Sequence, residues 1–263
     1  MNKELRQRLI RCERHMFHPD IIELYYGHVF NELVEYDDGI IIGPIRSGYY
    51  VFTMGQIPDY CKKKNFKVYS VDQLISRTNT IIEVETQIDK IEDRQQYKKS
   101  NWRNRVLNQR TFFEQKKLQI EWYEDNRIVK EALDLYDRWW KQVKHKKHRI
   151  MFPYSRYRRC ISSLSYHKKV KAIVCKYQEE LQAMRIILEE GNIAYDLCVA
   201  SDKSKLGNGL GNAFAFHSMK SMAERGINRV NHGLVSDKGM LKHKTAYPHE
   251  IKQMHLVMGN EVI

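Results

Sequence analysis

The chain has 263 residues, 42% of them hydrophobic, with only 13 glycines and 5 prolines; this excludes a disordered or collagen-like chain and allows one large domain or two small ones. Lys and Arg number 45 against 32 Asp and Glu, a formal charge of +13, which favours a polyanionic partner such as tRNA, DNA, an acidic membrane surface or a phosphorylated substrate. Five scattered cysteines without a CxxC pair, a charged N-terminal stretch and no apolar run of membrane-spanning length exclude a zinc ribbon and a disulfide scaffold, and predict a soluble, cytoplasmic protein.

From the N-terminus, a helical opening gives way to apolar runs. GIIIGPI (Gly39 to Ile45) and GYYVFTM (Gly48 to Met54) read as short strands joined by a turn at Arg46-Ser47-Gly48. Val71 to Ser76 reads as a short helix or turn, and TIIEVET (Thr80 to Thr86) alternates as a strand does. The middle is helical and basic. Tyr97 to Lys117 sets Trp102, Val106, Leu107, Phe112 and Phe113 among Lys and Arg, while Ile128 to Val143 carries an apolar stripe at helical spacing. Trp139 and Trp140 read as core packing. The tract KQVKHKKHR makes Lys141, Lys144, Lys146, Lys147 and Arg149 the candidate phosphate contacts of a solvated loop or helix end.

From Lys168 onward the pattern is one of strands. VKAIVCKYQ, LQAMRIILEEG and NIAYDLCVASD read as a three-stranded meander with turns at Glu179-Glu180 and Gly191-Asn192. The stretch SKLGNGLGNAFAFHSM follows. Asn212 to Glu224 then makes a helix closed by Gly226, INRVNHGLV a strand, DKGMLKHKTAY a short helix or turn, and EIKQMHLVM a last strand. A glycine loop between a strand and a helix places backbone N–H groups and a helix N-terminus together, which suits an anion. No Lys follows the last glycine as a Walker loop needs. The G-x-G-x-G spacing after a meander also departs from a dinucleotide fingerprint.

LGNGLGNAF in this setting resembles the acyl-coenzyme A pyrophosphate loop of the GCN5-related N-acetyltransferase (GNAT) superfamily. LKHKTAY (Leu241 to Tyr247) sits where that superfamily has its L-Y-E-K-x-G-F signature. Two positions depart from it: Leu206 stands where Arg or Gln is usual, and Lys242 where the general-acid Tyr is expected. A closer resemblance, spanning roughly residues 95–263, is to the tandem branch that holds the C-terminal domain of phosphatidylglycerol lysyltransferase and the Fem-type aminoacyl transferases. It rests on KSNWRNRVLNQRTFFEQKKLQIEW, on the tryptophan-bearing helix after it, and on Val230-Asn231 with GMLKHKTAYP.

The resemblance implies an α+β, tandem acetyltransferase-like fold of mixed, mostly antiparallel sheets flanked by helices. Residues 1–95 would be a degenerate first copy and 96–263 the copy with the glycine loop. It implies transfer of an acyl group, from acetyl-coenzyme A or another acyl-coenzyme A, or from an aminoacyl-tRNA, to an amine or hydroxyl. The donor would lie against Val199, Leu206, Gly207, Asn208, Gly209, Leu210, Gly211 and Asn212, with no metal. On the strand before the loop, Asp196 is either a proton acceptor or a carboxylate bonded to a nearby Lys, and Cys198 an acyl-carrying nucleophile or an inert thiol. Asn231 and His232 would face the donor arm or the acceptor, His232 as a base or as a structural side chain. Lys242 and Lys244 would contact phosphate, or Lys244 be a surface lysine. Tyr247 would donate to the leaving group, or be a core tyrosine. Two further readings stay open: a base-modifying enzyme of the same fold acting on nucleic acid, and a basic nucleic-acid-binding protein that has lost catalysis.

Overall fold

The computed structural model describes residues 1–27, 32–45, 48–56, 58, 61, 66–71, 79–142, 154–235 and 238–258. The chain divides into two compact units, one of residues 1–83, 233–235 and 251–263, the other of residues 84–232 and 236–250.

In the first unit, helices α1 (Lys3–Arg11) and α2 (Pro19–Tyr26) precede strands β1 (Glu32–Tyr36), β2 (Gly39–Ile45), β3 (Gly48–Thr53) and β4 (Phe66–Ser70). β1, β2 and β3 are antiparallel neighbours, β3 and β4 run parallel, and β4 pairs antiparallel with β11 (His249–Met258) from Ser70↔His255 to Lys67↔Met258. The isoleucine run of β2 is buried on both faces, which explains why it reads as continuous rather than alternating. One face carries Ile41, Val51, Cys61 and Val68 as a cluster. Buried Glu83 accepts hydrogen bonds from the His15 and Met16 amides at 2.9 and 3.1 Å.

The second unit holds the candidate site. Its strand order is β5 (Asn79–Gln87), β10 (Arg229–Leu234), β9 (Ile193–Ser201), β8 (Glu180–Glu190), β7 (Val170–Tyr177) and β6 (Gln119–Tyr123). β6 to β9 are antiparallel, as the expected meander requires, and β10 joins β9 in parallel. The helices are α3 (Lys99–Trp102), α4 (Asn108–Gln115), α5 (Val129–Gln142), α6 (Tyr154–Ser162), α7 (Gly209–Glu224) and α8 (Lys238–Lys244). A π-turn, Arg103–Leu107, joins α3 to α4, and the Gln109 amide donates to the Asn104 carbonyl at 2.6 Å beside it.

α7 buries residues all round its circumference, Leu210, Phe214, Phe216, Met219 and Met222 among them, as a central helix does. It stops at Gly226, where the Ile227 amide reaches back to the Met222 carbonyl at 3.1 Å, the expected C-terminal cap. α5 buries Ala132, Leu135 and Tyr136. Its Trp139 and Trp140 rings pack on Tyr136 at centroid distances of 5.5 and 6.0 Å, so they serve the fold as expected.

Candidate functional site

The parallel pairing of β9 and β10 covers only three positions, Ile193↔Arg229, Ala194↔Val230 and Tyr195↔Asn231. β9 then continues to Ser201 along β8, with a bulge that leaves Leu197 unpaired between Ile187↔Asp196 and Ile186↔Cys198. A bulge at the point where pairing ends re-aims the side chains on either side of it. Asp196 and His232 are the residues immediately after the last pair.

Their side chains meet. His232 Nδ1 lies 2.6 Å from Asp196 Oδ2, and His232 Nε2 lies 2.8 Å from Thr86 Oγ1. Arg185 Nε stands 3.5 Å from Asp196 Oδ1, and Lys244 Nζ donates to the His232 carbonyl at 2.5 Å. Side-chain exposure is 9% for Asp196, 8% for His232 and 4% for Arg185. Burial by itself would raise the Asp196 pKa, but Arg185, His232 and Lys244 outweigh it and hold the carboxyl at about 2. Burial lowers the His232 pKa, Asp196 opposes that, and Arg185 and Lys244 reinforce it. At neutral pH the pair is therefore an ionised carboxylate and a neutral imidazole. An ionised carboxylate only accepts, so Nδ1 carries the ring hydrogen and Nε2 accepts from the Thr86 hydroxyl.

Asn231 is fully buried. Tyr247 is 5% exposed and packs on Phe216 at 6.4 Å between ring centroids. Burial pushes its phenol up to about 12, and the hydroxyl has no hydrogen-bond partner among the described residues. Cys198 is buried with its thiol held protonated by burial, which fits the inert alternative.

The loop after β9 is anchored by Asp202, a residue the sequence reading passed over. Its carboxylate accepts from the Ser204 amide at 3.0 Å, Arg138 Nε at 2.9 Å and Gln142 Nε2 at 3.2 Å. Of the three glycines, Gly207 lies in that loop and Gly209 and Gly211 in the first turn of α7, each for a different reason. Gly207 has φ +75°, with nothing within 4 Å of a Cβ built on it, so the backbone conformation selects it. Gly209 lies under Phe112 of α4, whose ring would stand 2.7 Å from a Cβ. Gly211 would place a Cβ 3.5 Å from Ser201 Oγ, an ordinary contact. Asn208 precedes α7 without capping it through its side chain, so it leaves the first-turn amides to other partners. Val199 is 38% exposed on the same strand.

Leu206 is 8% exposed and packs with Phe113, Leu118, Leu210 and Phe214. Its side chain is thus a core side chain, and only its backbone belongs to the loop. Leu206→Ala is expected to cost about 2–4 kcal/mol of stability; equal stability in a denaturant titration would contradict this packing.

Among the candidate phosphate contacts, Lys141 and Lys242 are exposed, while Lys244 turns to the His232 carbonyl. Lys144, Lys146, Lys147 and Arg149 lie outside the described residues. Thr86 and Arg185 were not singled out in the sequence. Thr86 is 146 positions from its histidine, and only the solitary Arg in the apolar run of β8 carried a signal.

Protonation gives a testable consequence. His217 on α7 stacks on Phe113 at 4.0 Å, and burial lowers its pKa to about 4. His217 and His232 are held neutral in the fold and Asp196 ionised, so each binds fewer protons folded than unfolded. Stability is then complete above pH ~6.5, and falls first as unfolded histidines take up protons. It falls again below pH ~4 as unfolded carboxylates do. The unfolding temperature is expected to drop steadily from pH 7 to pH 4; a flat profile would contradict these assignments.

A mixed sheet whose two parallel strands part beside a loop-led central helix is the architecture of an acyltransferase fold. The family model for the acetyltransferase (GNAT) domain matches residues 100–244, more than half of the chain, and the chain belongs to that family. The sequence has no match among curated proteins. Among solved structures, a conserved protein of unknown function from Bacteroides thetaiotaomicron is similar over 97% of both chains, with 12% identity and a TM-score of 0.67. A domain described as the C-terminal part of a lysylphosphatidylglycerol synthetase from Agrobacterium fabrum is similar over 98% of this chain and 91% of its own, with 10% identity and a TM-score of 0.62. FemX is similar over 85% of this chain and 86% of its own, with 10% identity and a TM-score of 0.53. At these identities the likeness is one of fold, and it agrees with the branch that the sequence resembles. Among the described residues, no helix is long and apolar enough to cross a membrane.

Proposed function

We propose that the protein is an acyltransferase that moves an acyl group from an acyl-coenzyme A, acetyl-coenzyme A in the simplest case, to an amine or hydroxyl acceptor. The observation that carries this reading is the buried Asp196–His232 pair where β9 and β10 stop pairing, on the strand that leads into the glycine loop. A thioester donor supplies an activated carbonyl and a good leaving group.

The chain's own residues do the rest. The segment from Leu206 to Asn212, which runs from the loop into the first turn of α7, would hold the donor's phosphates with Val199 beside it. With Leu206 in the core, such a cradle would be built of backbone alone. From Ser201 back to Asp196 is five residues, roughly 15 Å of strand, a span that an extended donor arm covers. His232 would take the acceptor's proton at Nε2, the nitrogen now bonded to Thr86, while Asp196 stabilises the imidazolium. Tyr247, held protonated, would donate to the leaving group, with Asn231 and Lys244 framing the reacting carbonyl. The division of the chain into a degenerate first copy, residues 1–95, and a donor-binding copy, residues 96–263, belongs to the same proposal.

The charge of +13, with Lys141 and Lys242 exposed, favours as second reading an aminoacyl group delivered on a charged tRNA to the same residues. Base modification or plain nucleic-acid binding has no observation in its favour beyond that same charge. Calorimetry separates the donors: acetyl-coenzyme A is expected to bind at micromolar concentration, and aminoacyl-tRNA to bind in its place if the second reading holds. A folded sample that gives no heat with either donor would sink the acyltransferase reading.

A further inference from the structure

Strand β8 is buried from Leu181 to Leu188, and Arg185 is the one charged residue in that run. Arg185 is 3% exposed, and two of its guanidinium nitrogens, Nε and Nη1, are buried without a hydrogen-bond partner among the described residues. Its ion-pair partner is Asp196, at 3.5 Å. A buried guanidinium is a costly choice where a leucine or methionine would fill the same strand position. The cost points to a role that charge alone can serve.

Asp196 touches His232 with one oxygen and faces Arg185 with the other. With His232 as its only cationic neighbour, a buried aspartate would draw a proton onto the ring to make an ion pair. With Arg185 and Lys244 already beside it, a charged ring would add a third cation around one carboxylate. We propose that Arg185 is a positioning residue of the acyl-transfer site: as the counter-ion of Asp196 it fixes the carboxylate against His232 Nδ1 and leaves the imidazole uncharged, with Nε2 unprotonated. The proposal rests on the acyltransferase reading for its purpose, but the charge arrangement stands without it.

The other groups near the pair are Thr86 on β5, Cys198 on β9, Tyr157 on α6, and His243 and Lys244 on α8, with Arg105 of the π-turn beside His243. Thr86, Cys198 and Tyr157 are uncharged at neutral pH, and burial holds the thiol and the phenol protonated. Lys244 acts on His232 in the same sense as Arg185.

The test is a side-chain NMR titration of His232 in isotope-labelled full-length protein, with Arg185→Met, Arg185→Lys and Lys244→Met compared with wild type. In wild type the ring is expected to stay neutral, as the Nδ1–H tautomer, to below the ordinary histidine range. Arg185→Met should raise its proton affinity at least tenfold, Arg185→Lys should return it most of the way, and Lys244→Met should have a smaller effect. An Arg185→Met protein that keeps the wild-type amide spectrum and titrates as wild type would overturn the proposal. Where Arg185→Met does not fold, Arg185→Gln takes its place under the same criterion. In turnover assays the acid limb of the pH profile should move up with the titration, in kcat rather than KM. A shifted titration in a protein that transfers no acyl group would uphold the counter-ion role and sink the acyltransferase reading.

Discussion

Asp196→Asn is expected to lower the acyl-transfer rate by about 10²–10⁴-fold, the usual worth of a positioned acid–base group, with the loss in kcat and little change in donor affinity. An amide can still meet His232 Nδ1, 2.6 Å away, so ring placement survives while the charge that stabilises the imidazolium is lost. The same substitution strips Arg185 of its ion-pair partner. Breaking one side of a buried ion pair typically costs about 3–5 kcal/mol, so the variant should also unfold earlier in denaturant. His232→Gln separates the two effects, because it removes the base and leaves the Arg185–Asp196 pair intact. It should lose rate to a similar degree with a much smaller loss of stability. A His232→Gln enzyme within threefold of wild type would show that the proton goes elsewhere.

The second large effect concerns packing. Gly209→Leu would drive a side chain into Phe112, whose ring carbons stand 2.7, 3.0 and 3.3 Å from the position of a Cβ. Overpacking of this kind costs about 1–3 kcal/mol and would push α4 away from the first turn of α7. Donor affinity should fall with it, because the loop amides move. Phe112→Ala in the same chain should recover a good part of the stability, and a double-mutant cycle measures the coupling. Gly211→Ala is the control, since its Cβ meets Ser201 at an ordinary 3.5 Å; it should leave stability nearly unchanged. Additive costs for Gly209→Leu and Phe112→Ala would refute the close contact.

These two cases mark where the sequence was legible. The meander from Val170 to Ser201, the central helix with its stop at Gly226, and the strand carrying Asn231 and His232 were all readable. Hydrophobic period and turn residues agree there. The strands ELVEY, FKVYS and QIEWY were not. Each is five residues long with a charged residue in the pattern, too short for alternation to stand out. The π-turn at Arg103–Leu107 lies inside a stretch whose spacing reads as plain α-helix.

At the site, the spacing of the glycines marked a connection between strand and helix but not why each glycine is there. That Gly209 answers to Phe112, nearly a hundred residues earlier, is a tertiary fact. Leu206 looked like a departure from a ligand-binding pattern. In the fold it is an ordinary buried leucine, and a loop that binds through its backbone has no need of a side chain there. The partners of His232 come from β5, β9 and α8, and Arg185 of β8 meets Asp196; no local pattern joins these elements.

Hydrogen–deuterium exchange with and without acetyl-coenzyme A bears most directly on the central claim, that the donor lies along β9 and against the start of α7. The account predicts slower exchange in residues 199–212, extending to the segments around Asp196 and His232. Unchanged exchange there, or protection confined to another part of the chain, would contradict it.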